Sequence, residues 1–128
     1  MTEPLMEGKP LTNVFTEHVF KIRATFGASS AVTFRSKDAT IAKTDTAKWT
    51  ITLPKAYAEI TEFSAGRKAA VSVAGLEFII VTDNVATDGT LVVQSIASNG
   101  TATEPASGNV TYFTIGVSCD VLNSKFTG

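Results

Sequence analysis

Two side chains in this 128-residue sequence are suited to nucleophilic chemistry, Cys119 and His18, and each residue type occurs once. A thiol and an imidazole are the two parts of a thiol hydrolase site, in which the thiolate attacks and the imidazole moves its proton. Their contexts predict otherwise. Cys119 falls in phase with Phe113, Ile115 and Val117 in an alternating segment, so it is expected on the apolar face of a strand as a small buried hydrophobe. His18 stands between an irregular N-terminal stretch and the first alternating run, where a solvated end residue is expected. Any Ser-His-Asp arrangement would have to be built around His18 itself, and no Gly-x-Ser-x-Gly elbow occurs. An enzyme is not expected.

Other constellations reduce to turn chemistry or core packing. Asp83-Asn84 and Asp88-Gly89 put two carboxylates in one loop, but no EF-hand spacing and no ligating Glu follow, so no metal is expected. Ser64-Ala65-Gly66-Arg67-Lys68 lacks the spacing of a phosphate loop and reads as a turn with solvated charges. Asn99-Gly100-Thr101 and Asn109-Val110-Thr111 satisfy the glycosylation rule, as chance triplets do in a chain with nineteen Thr. Trp49, Tyr57 and Tyr112 would make a sugar-stacking platform if exposed, yet Trp49 is in phase with Ile51 and Leu53 and is expected inside. No cofactor and no small-molecule substrate are expected.

Composition narrows the partners. Eleven basic against twelve acidic residues give a formal charge of −1, without the electrostatic footprint that nucleic-acid binding needs. The N-terminus has no basic region followed by an apolar run, and Leu76 to Val81, the longest strongly apolar stretch, is interrupted by Glu77. Neither a secretion signal nor a membrane span is expected, and synthesis in the cytoplasm follows. A single Cys cannot form an internal disulfide.

The elements that would position these residues are strands. Residues 1–17 carry two prolines, a glycine and isolated apolar residues without sustained period, and read as an extended arm. Leu5, Met6, Leu11, Val14 and Phe15 are its candidate anchors for a partner. Residues 18–128 read as one domain. Phe20, Ile22, Ala24 and Phe26 share a face, Gly27 to Ser30 turn the chain, and Ala31 to Arg35 complete a hairpin. Thr40 to Lys43 and Lys48 to Leu53 follow, the latter stopped by Pro54. Lys55 to Ser64 reads as an irregular strand or, alternatively, a single helical turn. Ala65-Gly66-Arg67 is expected to turn into a strand from Lys68 to Val73, and the nearly all-apolar Leu76 to Thr82 is expected to be a central strand covered on both faces. Asp88-Gly89 signals a hairpin into Leu91 to Ile96. Val110 to Val121 is the longest strand. Such a series is an all-β chain, either an antiparallel β-sandwich or a jelly-roll barrel. Its core is expected to hold Phe20, Ile22, Trp49, Ile51, Phe78, Ile80, Val93, Phe113, Ile115 and Val117.

Asp88-Gly89-Thr90-Leu91-Val92-Val93-Gln94, followed by Asn99-Gly100-Thr101-Ala102-Thr103-Glu104-Pro105-Ala106-Ser107-Gly108-Asn109-Val110, resembles the last two strands of small tailed-phage virion proteins. Ile51-Thr52-Leu53-Pro54 with Tyr57 is similar to their middle region, so the similarity spans Lys48 to Val117. Within that group the resemblance points to capsid cement or decoration proteins. It implies a non-enzymatic structural role on the outer capsid surface of a virion, with the major capsid protein and copies of the chain itself, as a dimer or trimer, for partners. No functional residue is carried over individually. A tail, baseplate or head-fibre component and a carbohydrate-binding module are the alternatives.

Overall fold

The computed structural model describes residues 17–68 and 76–119. Eight strands appear among them: β1 (Glu17–Phe26), β2 (Val32–Ser36), β3 (Thr40–Asp45), β4 (Lys48–Thr52), β5 (Glu59–Lys68), β6 (Glu77–Asn84), β7 (Thr90–Ile96) and β8 (Val110–Ser118). One helical turn, α1 (Val85–Asp88), joins β6 to β7. Two antiparallel four-stranded sheets result, ordered β2-β1-β8-β5 and β3-β4-β7-β6, and they pack face to face as a β-sandwich. The all-β expectation holds.

Alternation becomes burial because successive side chains of a strand point to opposite faces. Phe20, Ile22, Ala24 and Phe26 of β1, and Phe113, Ile115 and Val117 of β8, line the inside of the first sheet. Trp49 and Ile51 of β4, and Leu91 and Val93 of β7, line the second. Four aromatic rings fasten the sheets together. Phe26 meets Trp49 edge-on at 5.0 Å, and Phe78 meets Phe113 edge-on at 5.1 Å, geometries that suit the ring quadrupoles. Every expected core residue is buried except Ile80, which is half-buried against the cluster.

Three expectations need correction. No turn occurs at Ala65-Gly66-Arg67: β5 runs through to Lys68, with Gly66 opposite Tyr112 and Arg67 opposite Thr111. Gly66 does not take a left-handed conformation, so β8 pairs along the whole of β5 and overrides the turn propensity. Only Lys68 of the expected 68–73 strand is placed, as the end of β5, and residues 69–73 lie outside the described residues. β6 is an edge strand rather than a central one, with Val81 39% exposed, because β7 takes the interior place between β4 and β6. A register shift between Ile80 and Thr82 also breaks its alternation. β8 ends at Ser118, which leaves Cys119 exposed past the last pair despite its apolar phase. Val121 lies outside the described residues.

Loops hold the layers in register. The segment around Pro54 is fixed to α1 and to Gly89 just past it, with the Tyr57 N–H donating to the Val85 carbonyl at 3.0 Å and the Leu53 N–H to that of Gly89 at 2.8 Å. Between β7 and β8 the chain crosses from one sheet to the other. There the Glu104 carboxylate accepts the Ala47 N–H at 3.1 Å and pairs with Lys43, which fastens the β3–β4 turn to the crossover.

Candidate functional site

β1 begins and β8 ends in register, with Glu17 opposite Ser118 and His18 opposite Val117. The two parts of the hypothetical thiol site are therefore carried to one corner of the sandwich. His18 is even-numbered like Phe20 and Ile22, so it belongs to the inward phase but lies beyond the end of the core and is exposed. Its ring meets that of Tyr57 at 5.7 Å, and Tyr57 in turn meets Phe20 at 5.7 Å. Lys55 Nζ lies 5.4 Å from the Tyr57 ring centroid, within range of a cation–π contact.

Tyr57 is the buried member of this group. Its phenol is held above the ordinary value of 10.0, first by burial and then by the neighbouring Cys119 and Asp38, whose negative forms disfavour a phenolate. It is therefore a neutral donor at physiological pH. Beside it runs a cleft of about 390 Å³ lined by His18, Val19, Phe20, Lys21, Ser36, Lys37 and Asp38. Among the described residues no hydrogen bond joins His18 to Cys119 or to a carboxylate, whereas a nucleophile–base couple is recognised by such a bond. The corner thus brings a thiol, an imidazole, a phenol and a carboxylate close together without linking them in a proton-transfer chain.

The remaining sequence candidates fall elsewhere. The Asp83 carboxylate accepts the Val85 N–H at 3.0 Å, and that of Asp88 accepts the Thr90 N–H and hydroxyl at 3.1 and 2.7 Å, so both carboxylates are engaged in local turns of the Asx kind at the two ends of α1. Trp49 is wholly buried and Tyr112 is exposed on the outer face of the first sheet, so the two cannot form one platform. Asn99 accepts the Thr101 N–H at 3.0 Å, while Asn109 is buried and closed to glycan transfer in the folded state. Leu5, Met6, Leu11, Val14 and Phe15 lie outside the described residues. The fold fixes only where their segment joins it, at Glu17 beside the cleft.

Sequence reasoning considered Tyr57 only as part of a stacking platform and missed its place beside His18 and Cys119. A partial signal was present, since Pro54 stands just past the end of β4 and Tyr57 is the one large apolar side chain in the Lys55 to Glu59 stretch, but nothing local says which sheet end that aromatic will close. No family model matches the chain, and no curated protein or solved structure matches it either.

Proposed function

We propose that this protein is a non-enzymatic structural component of a tailed-phage virion, a cement or decoration protein that binds the outer capsid shell and stabilises contacts between capsid subunits. The observation that carries the reading is the β7–crossover–β8 unit, whose sequence resembles the closing strands of such virion proteins. In the fold this unit supplies an interior strand to each sheet. The crossover is built to be stiff: Gly100 and Gly108 take left-handed conformations, the Gly108 N–H donates to the Phe26 carbonyl at 2.7 Å, and the Thr103 N–H donates to that of Ser95 at 3.0 Å. A rigid sandwich of this kind suits a clamp whose work is mechanical.

In this reading the major capsid protein is the partner, copies of the chain sit side by side as a dimer or trimer, and the arm reaches a neighbouring subunit with the residues that precede β1, since Glu17 is itself the first residue of that strand. Leu5, Met6, Leu11, Val14 and Phe15 would supply apolar anchors, and repetition over a lattice would turn weak single contacts into high avidity. The chain would be made in the host cytoplasm and reside on the virion surface.

The test is electron microscopy of virions carrying a gold-labelled form of the chain, together with a variant lacking residues 2–16. Label distributed over the shell, lost when the arm is removed although the variant melts at an unchanged temperature, is the expected result. Label confined to one vertex would replace this reading with a tail, baseplate or fibre component. Absence from virions combined with binding on a glycan array would replace it with a carbohydrate-binding module.

A further inference from the structure

β1 outruns β2. Its pairing with β8 extends from Thr25 opposite Val110 down to Glu17 opposite Ser118, whereas its pairing with β2 stops at Ile22 opposite Ser36. Glu17 to Lys21 therefore has a strand on one side only, and among the described residues no strand pairs with its other side. β2 stops where the Ser36 hydroxyl accepts the Ala39 N–H at 3.2 Å and the chain turns through Lys37 and Asp38 into β3 of the second sheet. The cleft of about 390 Å³ lies at this step: β1 from His18 to Lys21 forms its long wall, and Ser36, Lys37 and Asp38 close the end where β2 leaves off.

The open side of β1 presents backbone. The Phe26 N–H donates to the Asn109 carbonyl on the β8 side, and the Gly27 N–H donates to the Ala31 carbonyl on the β2 side. Successive residues of a strand direct their N–H and C=O to opposite sides, and the register of β1 is unbroken, so its even-numbered residues serve β8 and its odd-numbered ones the β2 side. Glu17 and Val19 thus aim their N–H and C=O past the end of β2 toward the cleft. An edge of this kind is a template for another chain, and proteins ordinarily blunt it. Here Val19, 48% exposed, stands in the middle of it.

We propose that this edge accepts an extended segment of another protein, which adds as a strand antiparallel to β1 and in line with β2, with apolar residues on one face and acidic residues on the other. Glu17 to Lys21 offers about 16 Å of edge at ~3.3 Å per residue, room for a short strand. Inward side chains of the added strand would lie opposite His18 and Phe20, whose rings both meet that of Tyr57 at 5.7 Å, so apolar residues suit those positions. Its outward side chains would lie opposite Val19 and beside Lys21 and Lys37, both exposed, so acidic residues suit them. The Glu17 carboxylate accepts the Thr61 hydroxyl on β5, across β8, and is drawn away from the cleft. That leaves Asp38 as the cleft's own carboxylate against two lysines. Main-chain bonds supply the affinity in such strand addition, and the alternate side chains supply the selectivity.

This inference does not rest on the capsid reading, since it is tested on the purified full chain with a synthetic peptide. The probe is an end-blocked, fluorescein-labelled peptide of alternating Val and Glu, about eight residues long, an ordinary strand length. Fluorescence anisotropy should show saturable binding below about 1 mM. A peptide of alternating Val and Lys should bind at least about tenfold more weakly, and so should the first peptide N-methylated at its Glu residues, the ones placed opposite Val19. Val19→Pro removes an N–H that points toward the cleft, at an edge position where proline is tolerated, and should weaken binding by at least about tenfold. Lys21→Glu combined with Lys37→Glu should reverse the preference between the two peptides, and it decides the matter if circular dichroism shows Val19→Pro to be unfolded. No binding at about 1 mM, equal binding of the Glu and Lys peptides, or binding indifferent to a folded Val19→Pro overturns the proposal. So does binding that appears only when residues 2–16 are deleted, because the chain's own arm then fills the edge, or only when sedimentation shows the chain dissociated, because a second copy then does.

Discussion

Gly89 and Gly100 both adopt left-handed backbone, with φ of 80° and 87°, yet replacing each by Ala should have very different consequences. At Gly100 no atom lies within 4 Å of the place where a Cβ would stand, so the cost is conformational alone, about 1–2 kcal/mol for an L-residue in this region. At Gly89 the Cβ would lie 2.3 Å from the Lys55 carbonyl oxygen and 2.8 Å from its carbon. Both obstacles are backbone, so no side chain can rotate away. Relief requires moving the 53–57 segment off α1, and the two hydrogen bonds that hold it there, Leu53 to Gly89 and Tyr57 to Val85, contribute about 1 kcal/mol each. Gly89→Ala should therefore cost about 3–4 kcal/mol, some 2 kcal/mol more than Gly100→Ala. Urea denaturation of the two variants beside the parent measures the difference through the shift in midpoint at constant slope. Equal destabilisation would refute the reasoning, because it would mean that the close approach of Lys55 to α1 does not constrain the chain in solution.

Phe113→Ala should cost about 3–5 kcal/mol, since the ring is buried between Phe63 and Phe78 and its loss opens a cavity between the sheets; a loss below about 1 kcal/mol in the same assay would contradict that packing. Cys119, exposed past the end of β8, should react with a thiol reagent in native buffer about as fast as in denaturant, and strong native protection would show that it is covered. Tyr57 keeps its proton more tightly folded than unfolded, so its contribution to stability is complete below pH 10.0 and is lost as the pH rises through its higher folded value. Thermal melts from pH 8 to 12 should show that loss in the parent and a shallower one in Tyr57→Phe, and identical slopes would remove Tyr57 from the alkaline transition.

The strands themselves were legible because a period of two is a local property. Phe20-Ile22-Ala24-Phe26, Trp49-Ile51 and Phe113-Ile115-Val117 declare their inward faces without reference to the rest of the chain, and Gly27 to Ser30 and Asp88-Gly89 mark their turns by conformational preference. Of the candidate corner, the sequence singled out His18 and Cys119 as reactive types but could not say that they share one end of the sandwich, or that Tyr57 closes it. Those facts depend on which strands pair.

Pairing is decided by competition for the best-covered surfaces across long loops, which no short window records. That competition inserts β8 between β1 and β5, and β7 between β4 and β6. It also leaves the apolar β6 at an edge, straightens Gly66 into a strand and ends β8 one residue before Cys119. Val19, Lys21 and Lys37 look unremarkable in the sequence. The open edge they border exists only once β2 has paired with the far half of β1 and stopped at Ser36, while β8 pairs on to Ser118. Amino-acid order sets which face of each strand is apolar; the sheet alone sets which strand edges stay open.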